Sequence, residues 1–302
     1  MKSSKKIFKK NEWGMVIVIL CWGLNLPLIK IALREIPTLP FNAIRLTLAS
    51  LALLAIFALN SEPAAFARRD LPRLVFLSLC GHTFYQLFFI NGLDHTTVTN
   101  TAVIFAISPI AISLLSSFFK QERIGTLGWL GILVAFGGAY MVVTGKSGRF
   151  QLSSATLKGD LILIAAVLMW AAYTVMSKPL LHRHSPLKVT AFTMGIGTLG
   201  FIPFSVPSFS AFSVTAVSAK AWLFLVYSGL IALSLCYLLW FRSVKQVGNS
   251  QTAVFSNLQP LVSMAFAFWI LGEPLTRNLA AGTALIFAGL YLTRRGPRKP
   301  PT

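Results

Sequence analysis

The sequence predicts an all-α polytopic membrane protein, with ten transmembrane helices arranged as two inverted five-helix repeats (5+5) and both termini cytoplasmic. Three observations predict it. The first is composition. A soluble domain carries about 25% charged residues, whereas this 302-residue chain carries 12%, is 55% hydrophobic and has a mean hydropathy of +0.72. Too few polar side chains remain to face water on all sides, so the bilayer is the expected solvent. The second is an internal repeat, which sets architecture before any local reading. Thr101-Ala102-Val103, Pro109, Glu122, Gly131, Gly138 and Tyr140 recur 151 residues on, as Thr252-Ala253-Val254, Pro260, Glu273, Gly282, Gly289 and Tyr291. Nearer the start of each half the offset is 148, placing Glu12 on Asp160, Trp22 on Trp170, Lys30 on Lys178 and Phe76-Leu77 on Phe224-Leu225. The third is that each copy holds five apolar runs. Five is odd, so the second copy must enter the membrane from the opposite side. The copies divide at 1–148 and 149–302.

The elements follow in order. Residues 1–10 carry Lys2, Lys5, Lys6, Lys9 and Lys10 ahead of an apolar run from Trp13 to Leu33. A positive flank before an apolar run is also how a signal peptide reads. This run is long, and its counterpart lies at Leu161 to Leu181, so a membrane helix is predicted. Further runs fall at 41–59, 73–93, 98–119, 127–144, 160–181, 188–207, 220–241, 250–271 and 278–293. At about 1.5 Å per residue, each can cross about 30 Å of hydrocarbon. Barrel strands would need alternating segments of about ten residues, which are missing from the sequence. With the N-terminus inside, the inside segments hold about 19 of the 27 Lys and Arg, among them Arg68, Arg69, Arg73, Arg294, Arg295, Arg298 and Lys299. That bias fixes orientation. The 146–158 stretch reads as a solvated linker. Cys21, Cys80 and Cys236 lie in apolar runs and suggest no disulfide framework. The net charge of +19 is spread over short loops rather than gathered on one face, which argues against nucleic acid.

The chain resembles the drug/metabolite transporter superfamily and, within it, the EamA-type ten-helix permeases. The resemblance rests on Trp22-Gly23-Leu24-Asn25, Pro27, Lys30, Arg45, Pro109, Glu122-Arg123, Gly131 and Gly137-Gly138. It continues in the second half with Trp170, Lys178, Pro260, Gly272-Glu273-Pro274, Gly282 and Gly289. The second half departs at Ala171-Ala172-Tyr173, where the first has Gly23-Leu24-Asn25. The resemblance implies an inner- or plasma-membrane carrier of small metabolites, often amino acids. It also implies a cavity lined by helices 1–4 and 6–9, with helices 5 and 10 peripheral. Such a scaffold does not fix the cargo.

Candidate site residues come from polar or aromatic side chains at depth. Trp22 and Asn25 share a face of the first segment. Asn25 suits an amino or carboxyl group of a substrate, or an interhelical hydrogen bond. His82, Tyr85, Gln86 and Phe89 form a stripe that lipid would penalise. His82 is either a proton carrier or a structural histidine. Trp170 and Tyr173 share a face of the sixth segment, Phe105 lies in the fourth, Tyr237 in the eighth and Gln259 in the ninth. Pro27, Pro109 and Pro260 are candidate kinks or gates. Arg45 reads either as an attractor of anions near the outer mouth or as a snorkelling anchor. Glu122 and Glu273 read as caps on the helix that follows each.

All eight acids, Glu12, Glu35, Glu62, Asp70, Asp94, Glu122, Asp160 and Glu273, fall at predicted helix ends or in loops. A cation pump would need a buried acid. The expected activity is therefore secondary transport of small neutral or zwitterionic metabolites, foremost amino acid export by alternating access, through an aromatic, amide-lined pocket. Anionic cargo such as nucleotide sugars or phosphorylated compounds is the alternative, and needs Lys30, Arg45 or Lys178 in the cavity. A membrane-embedded lipid enzyme is disfavoured, because no acid pair, metal spacing or activated nucleophile is written in the chain. No cofactor or metal is expected. The expected partners are a small-molecule substrate and the lipid bilayer, with a monomer or homodimer as the assembly.

Overall fold

The computed structural model describes residues 13–96, 101, 104–144, 157–262, 266, 277–295 and 298–299. Residues 145–156, which make up most of the linker, lie outside the described residues, as do Glu12, Ser263 and the Gly272-Glu273-Pro274 step. Among the described residues the elements are helices joined by loops, apart from a two-residue antiparallel pairing of Arg123–Ile124 with Arg298–Lys299.

The helices are α1 (Trp13–Ala32), α2 (Thr38–Ala58), α3 (Arg68–Asp94), α4 (Ser108–Phe118), α5 (Thr126–Thr144), α6 (Leu157–Arg183), α7 (Pro186–Ser205), α8 (Ala219–Val247), α9 (Asn249–Val254) and α10 (Arg277–Arg295). Among the described residues, α1, α2, α3, α6, α8 and the Pro186–Ser210 span are long and apolar enough to cross a membrane. Their surface is apolar: Leu51, Leu199 and Leu223 are 60%, 70% and 64% exposed. Arg45, His82, Gln86 and Asn42 are buried instead. Polar inside and apolar outside is the pattern that lipid selects.

Two helices change pitch at depth. Residues Leu79–Phe84 of α3 and Ser228–Leu235 of α8 are π-helical, and the 148 offset lays one on the other. A π segment re-aims the side chains after it and releases backbone carbonyls. Trp22 Nε1 donates to one of these carbonyls, Ala232 O, at 2.8 Å. Gly81 and Gly229 are the glycines of the two segments. A Cβ on Gly81 would stand 2.4 Å from the Tyr173 ring, and one on Gly229 would stand 2.9 Å from Arg45 O.

The three prolines behave differently from simple interior kinks. The helix α1 runs through Pro27 without interruption. Pro109 stands in the first turn of α4, just after a break at Ala106-Ile107. Its missing N–H is an orphan there in any case. Pro260 follows a 3-10 turn at Phe255–Leu258, and the 151 offset carries the Ala106-Ile107 break into that turn.

The helices α5 and α10 pack on each other at backbone contact. A Cβ on Gly131 would lie 2.6 Å from Gly289 O, and one on Gly138 would lie 2.7 Å from Gly282 O. The repeated glycines thus serve a contact within the chain. A small cluster of Ala106, Ile286, Phe136, Leu258 and Leu261 joins this pair to the breaks before α4 and after α9.

Candidate functional site

A cavity lined by residues of both halves opens among the described residues. Its wall holds Trp22, Asn25, Tyr85, Gln86, Phe105, Trp170, Tyr237 and Gln259, eight of the ten side chains singled out from the sequence. The other two, His82 and Tyr173, stand behind it. Tyr173 is fully buried, and its hydroxyl lies 2.9 Å from His82 Nε2 and 2.9 Å from Thr193 Oγ1. The helix α7 contributes no lining residue among those described, so it supports the wall through Thr193 rather than forming it.

Six aromatic rings, those of Trp22, Tyr85, Phe89, Phe105, Trp170 and Tyr237, line the cavity. Trp22 meets Trp170 edge-on at 5.7 Å between centroids and Tyr237 at 6.1 Å. Trp170 lies 5.2 Å from Tyr237 and 5.3 Å from Tyr85. Such packing holds the rings rigidly while leaving their remaining faces for apolar or cationic groups.

The most informative residue is Arg45, which the sequence offered as an attractor of anions near the outer mouth or as a snorkelling anchor. It neither snorkels nor sits at a mouth. It is 1% exposed and lines the cavity. Nε donates to Asn42 Oδ1 at 2.6 Å, NH1 to Ser228 Oγ at 2.9 Å and NH2 to Gln86 Oε1 at 2.6 Å. Gln86 Nε2 in turn donates to the Tyr237 hydroxyl at 3.0 Å. The signal was available: Asn42 and Arg45 are three apart on one face of an apolar helix. Ser108, Ser256 and Phe89 also line the wall.

Five pairs in the wall are repeat-related: Trp22 with Trp170, Tyr85 with Leu233, Phe89 with Tyr237, Phe105 with Ser256 and Ser108 with Gln259. The polar chemistry breaks this symmetry. The counterparts of Asn25 and Arg45 are Tyr173 and Thr193, which bond to each other away from the cavity.

Toward one end of the bundle Glu122 ties three elements together. Its carboxylate accepts from Lys178 Nζ at 3.3 Å and from the backbone N–H of Asn249 at 2.5 Å and Ser250 at 3.1 Å. It therefore caps α9 of the other half, not the helix after it. Elsewhere Asp70 is buried and bonded to Arg183 and His184, which tether the end of α6 to the start of α3. Lys188 Nζ donates to the carbonyls of Pro63 at 2.6 Å and Ala65 at 2.8 Å. Among the described residues no group of His, Cys, Asp and Glu could hold a metal.

Comparison with known proteins decides the class. The profile of the EamA-like transporter family matches the chain twice, over residues 10–144 and 157–295. The chain belongs to that family. Among its relatives is a probable terminal-alkyne amino-acid exporter of Streptantibioticus cattleyicolor, 28% identical over 98% of this chain and 95% of that protein. Another is the uncharacterized transporter YetK of Bacillus subtilis, 26% identical over 90% and 82%. An uncharacterized transporter of Archaeoglobus fulgidus is 28% identical over 94% and 97%. One solved crystal structure shares the fold, with a TM-score of 0.77 at 18% identity over 93% of this chain and 95% of that one. The protein is a multi-pass membrane transporter and not an enzyme.

Proposed function

We propose that this transporter carries small neutral or zwitterionic metabolites, amino acids foremost, and exports them across the inner (plasma) membrane by alternating access. In this reading ten helices form two inverted repeats, 1–148 and 149–302, with both termini cytoplasmic, and the cavity is the cargo site. One observation carries it: the cavity wall is built from repeat-related pairs, five of them, with an aromatic and amide surface and no carboxylate among its lining residues. A site shared by two inverted halves is where alternating access needs it. The exporter among the relatives adds support for amino acids. A second reading, anionic metabolites, is favoured by the placement of Arg45 in the wall. Counterflow of the twenty labelled amino acids into proteoliposomes tests the first reading. Saturable exchange of at least one is expected, and exchange of none removes it. Exchange of phosphorylated compounds or nucleotide sugars alone would install the second.

A further inference from the structure

Arg45 and Asn25 are two of the lining residues whose repeat counterparts, Thr193 and Tyr173, stand outside the wall. A guanidinium has five N–H donors. Three of those on Arg45 are spent on Asn42, Ser228 and Gln86. One remains on each terminal nitrogen. The three acceptors are neutral, and the faces of Phe41 and Phe89 lie 5.8 and 5.4 Å from the guanidinium carbon. None of these neutralises the charge, and no carboxylate pairs with Arg45 among the described residues. A buried cation without a counter-charge makes a site that favours an anion. Asn25 supplies the complement. It is 7% exposed, it lines the same cavity, and its Oδ1 has no partner among the described residues. Arg45, with two uncommitted donors, and Asn25, with an unused acceptor, thus line the same cavity.

We propose that Arg45 selects the cargo by gripping its carboxylate, and that Asn25 Oδ1 accepts from a donor carried beside that carboxylate, as the ammonium of an α-amino acid is. The rest of the cargo lies against the Tyr85 and Trp170 rings, which favour an apolar or aromatic side chain. Charge-assisted, two-point recognition by a guanidinium is directional, so a neutral amide is a poor substitute for a carboxylate. This rests on reading the cavity as the cargo site.

The test is counterflow in proteoliposomes with the twenty labelled L-amino acids, then with the amide and the deaminated acid of the one exchanged fastest. In the wild type the amide is expected to exchange at least about 10-fold more slowly than the acid. Arg45→Gln is expected to erase that ratio. Arg45→Lys keeps a charge but loses the fork, and is expected to raise KM for the acid while kcat stays within about 3-fold. Asn25→Leu is expected to narrow the preference for the amino acid over its deaminated acid. Arg45→Lys is the fallback should Arg45→Gln not fold, as judged by size-exclusion elution. Equal exchange of acid and amide by the wild type, or a wild-type ratio retained in folded Arg45→Gln, overturns the assignment and leaves the amino-acid carrier standing. A wild-type KM for the acid in Arg45→Lys also overturns it. Exchange of neither amino acids nor deaminated acids removes both together.

Discussion

Arg45 shows how much one side chain organises. It links α2 to α3 through Gln86 and to α8 through Ser228, so three helices share one buried guanidinium. Removing one of its partners would leave a charged donor unmet, which costs more than the bond itself contributes. Charges outside the bilayer act by the same rule at smaller scale. Glu35 follows α1 and accepts from the backbone N–H of Ser218 at 2.7 Å and from its hydroxyl at 3.0 Å, at the start of α8. These bonds, the backbone one foremost, hold the Glu35 carboxyl below its usual range. A depressed carboxylate stabilises the fold above its unfolded pKa of about 4.3 and loses that contribution as pH falls through the folded value. In detergent, the midpoint of thermal unfolding should be slightly higher for the wild type than for Glu35→Gln at pH 7. The difference should fade only below about pH 4; a difference that persists unchanged at pH 3 would contradict this tether. Residue by residue, the aromatic and amide stripes were legible because lipid leaves few reasons for a polar group at depth. What the sequence hides is which buried polar groups find each other. His82 and Tyr173 bond to each other behind the wall, while Arg45 finds only neutral acceptors and stays in it.

At the scale of elements, apolar runs located the helices, but their pitch and breaks came from tertiary fit. The π segments of α3 and α8 carry no hydrophobic signature. Their trace is the pair Gly81 and Gly229, at the 148 offset, where Tyr173 and the Arg45 backbone approach too closely for a Cβ. The ends of α6 and α8 outrun their apolar segments by two and six residues, to Arg183 and Val247, where polar bonds hold them, Arg183 to Asp70 and Lys245 Nζ to the His184 carbonyl. The helices α5 and α10 offer a clean comparison. Gly137 and Gly138 are adjacent, yet a Cβ on Gly137 meets nothing within 4 Å, whereas one on Gly138 stands 2.7 Å from Gly282 O and 2.8 Å from Ile286 N. Backbone cannot step aside as a flexible side chain can. Gly138→Ala should therefore force α5 and α10 apart and cost about 1–3 kcal/mol. Gly137→Ala should be neutral, or stabilising by up to about 1 kcal/mol through helix propensity. Unfolding midpoints of the two variants in one detergent decide this, and equal shifts would contradict the backbone contact.

At the scale of the whole molecule, the doubled sequence and the shared cavity belong to one geometric idea. Two copies of an odd-membered helix unit in one membrane must lie head to tail. Repeat-equivalent loops then face opposite compartments, while repeat-equivalent midplane residues meet. The second half of that statement describes the cavity wall, where Trp22 faces Trp170. The first half is testable at two positions the 148 offset equates, Ala65 and Ser213. Both are exposed, one in the loop before α3 and the other before α8. The Ala65 loop runs into Arg68, Arg69 and Arg73, a positive excess of the kind that the positive-inside rule assigns to the cytoplasm. The Ser213 loop has no basic residue before Lys220. The native cysteines Cys80 and Cys236 are buried and Cys21 is half-buried, all inside helices, so single introduced thiols can be read against a low background. In inside-out vesicles a membrane-impermeant maleimide should label Ala65→Cys and spare Ser213→Cys, and in intact spheroplasts the order should reverse. Labelling of both positions from one side would mean that the copies run in the same sense, and then no rocking of one half against the other could expose a common site to each compartment in turn.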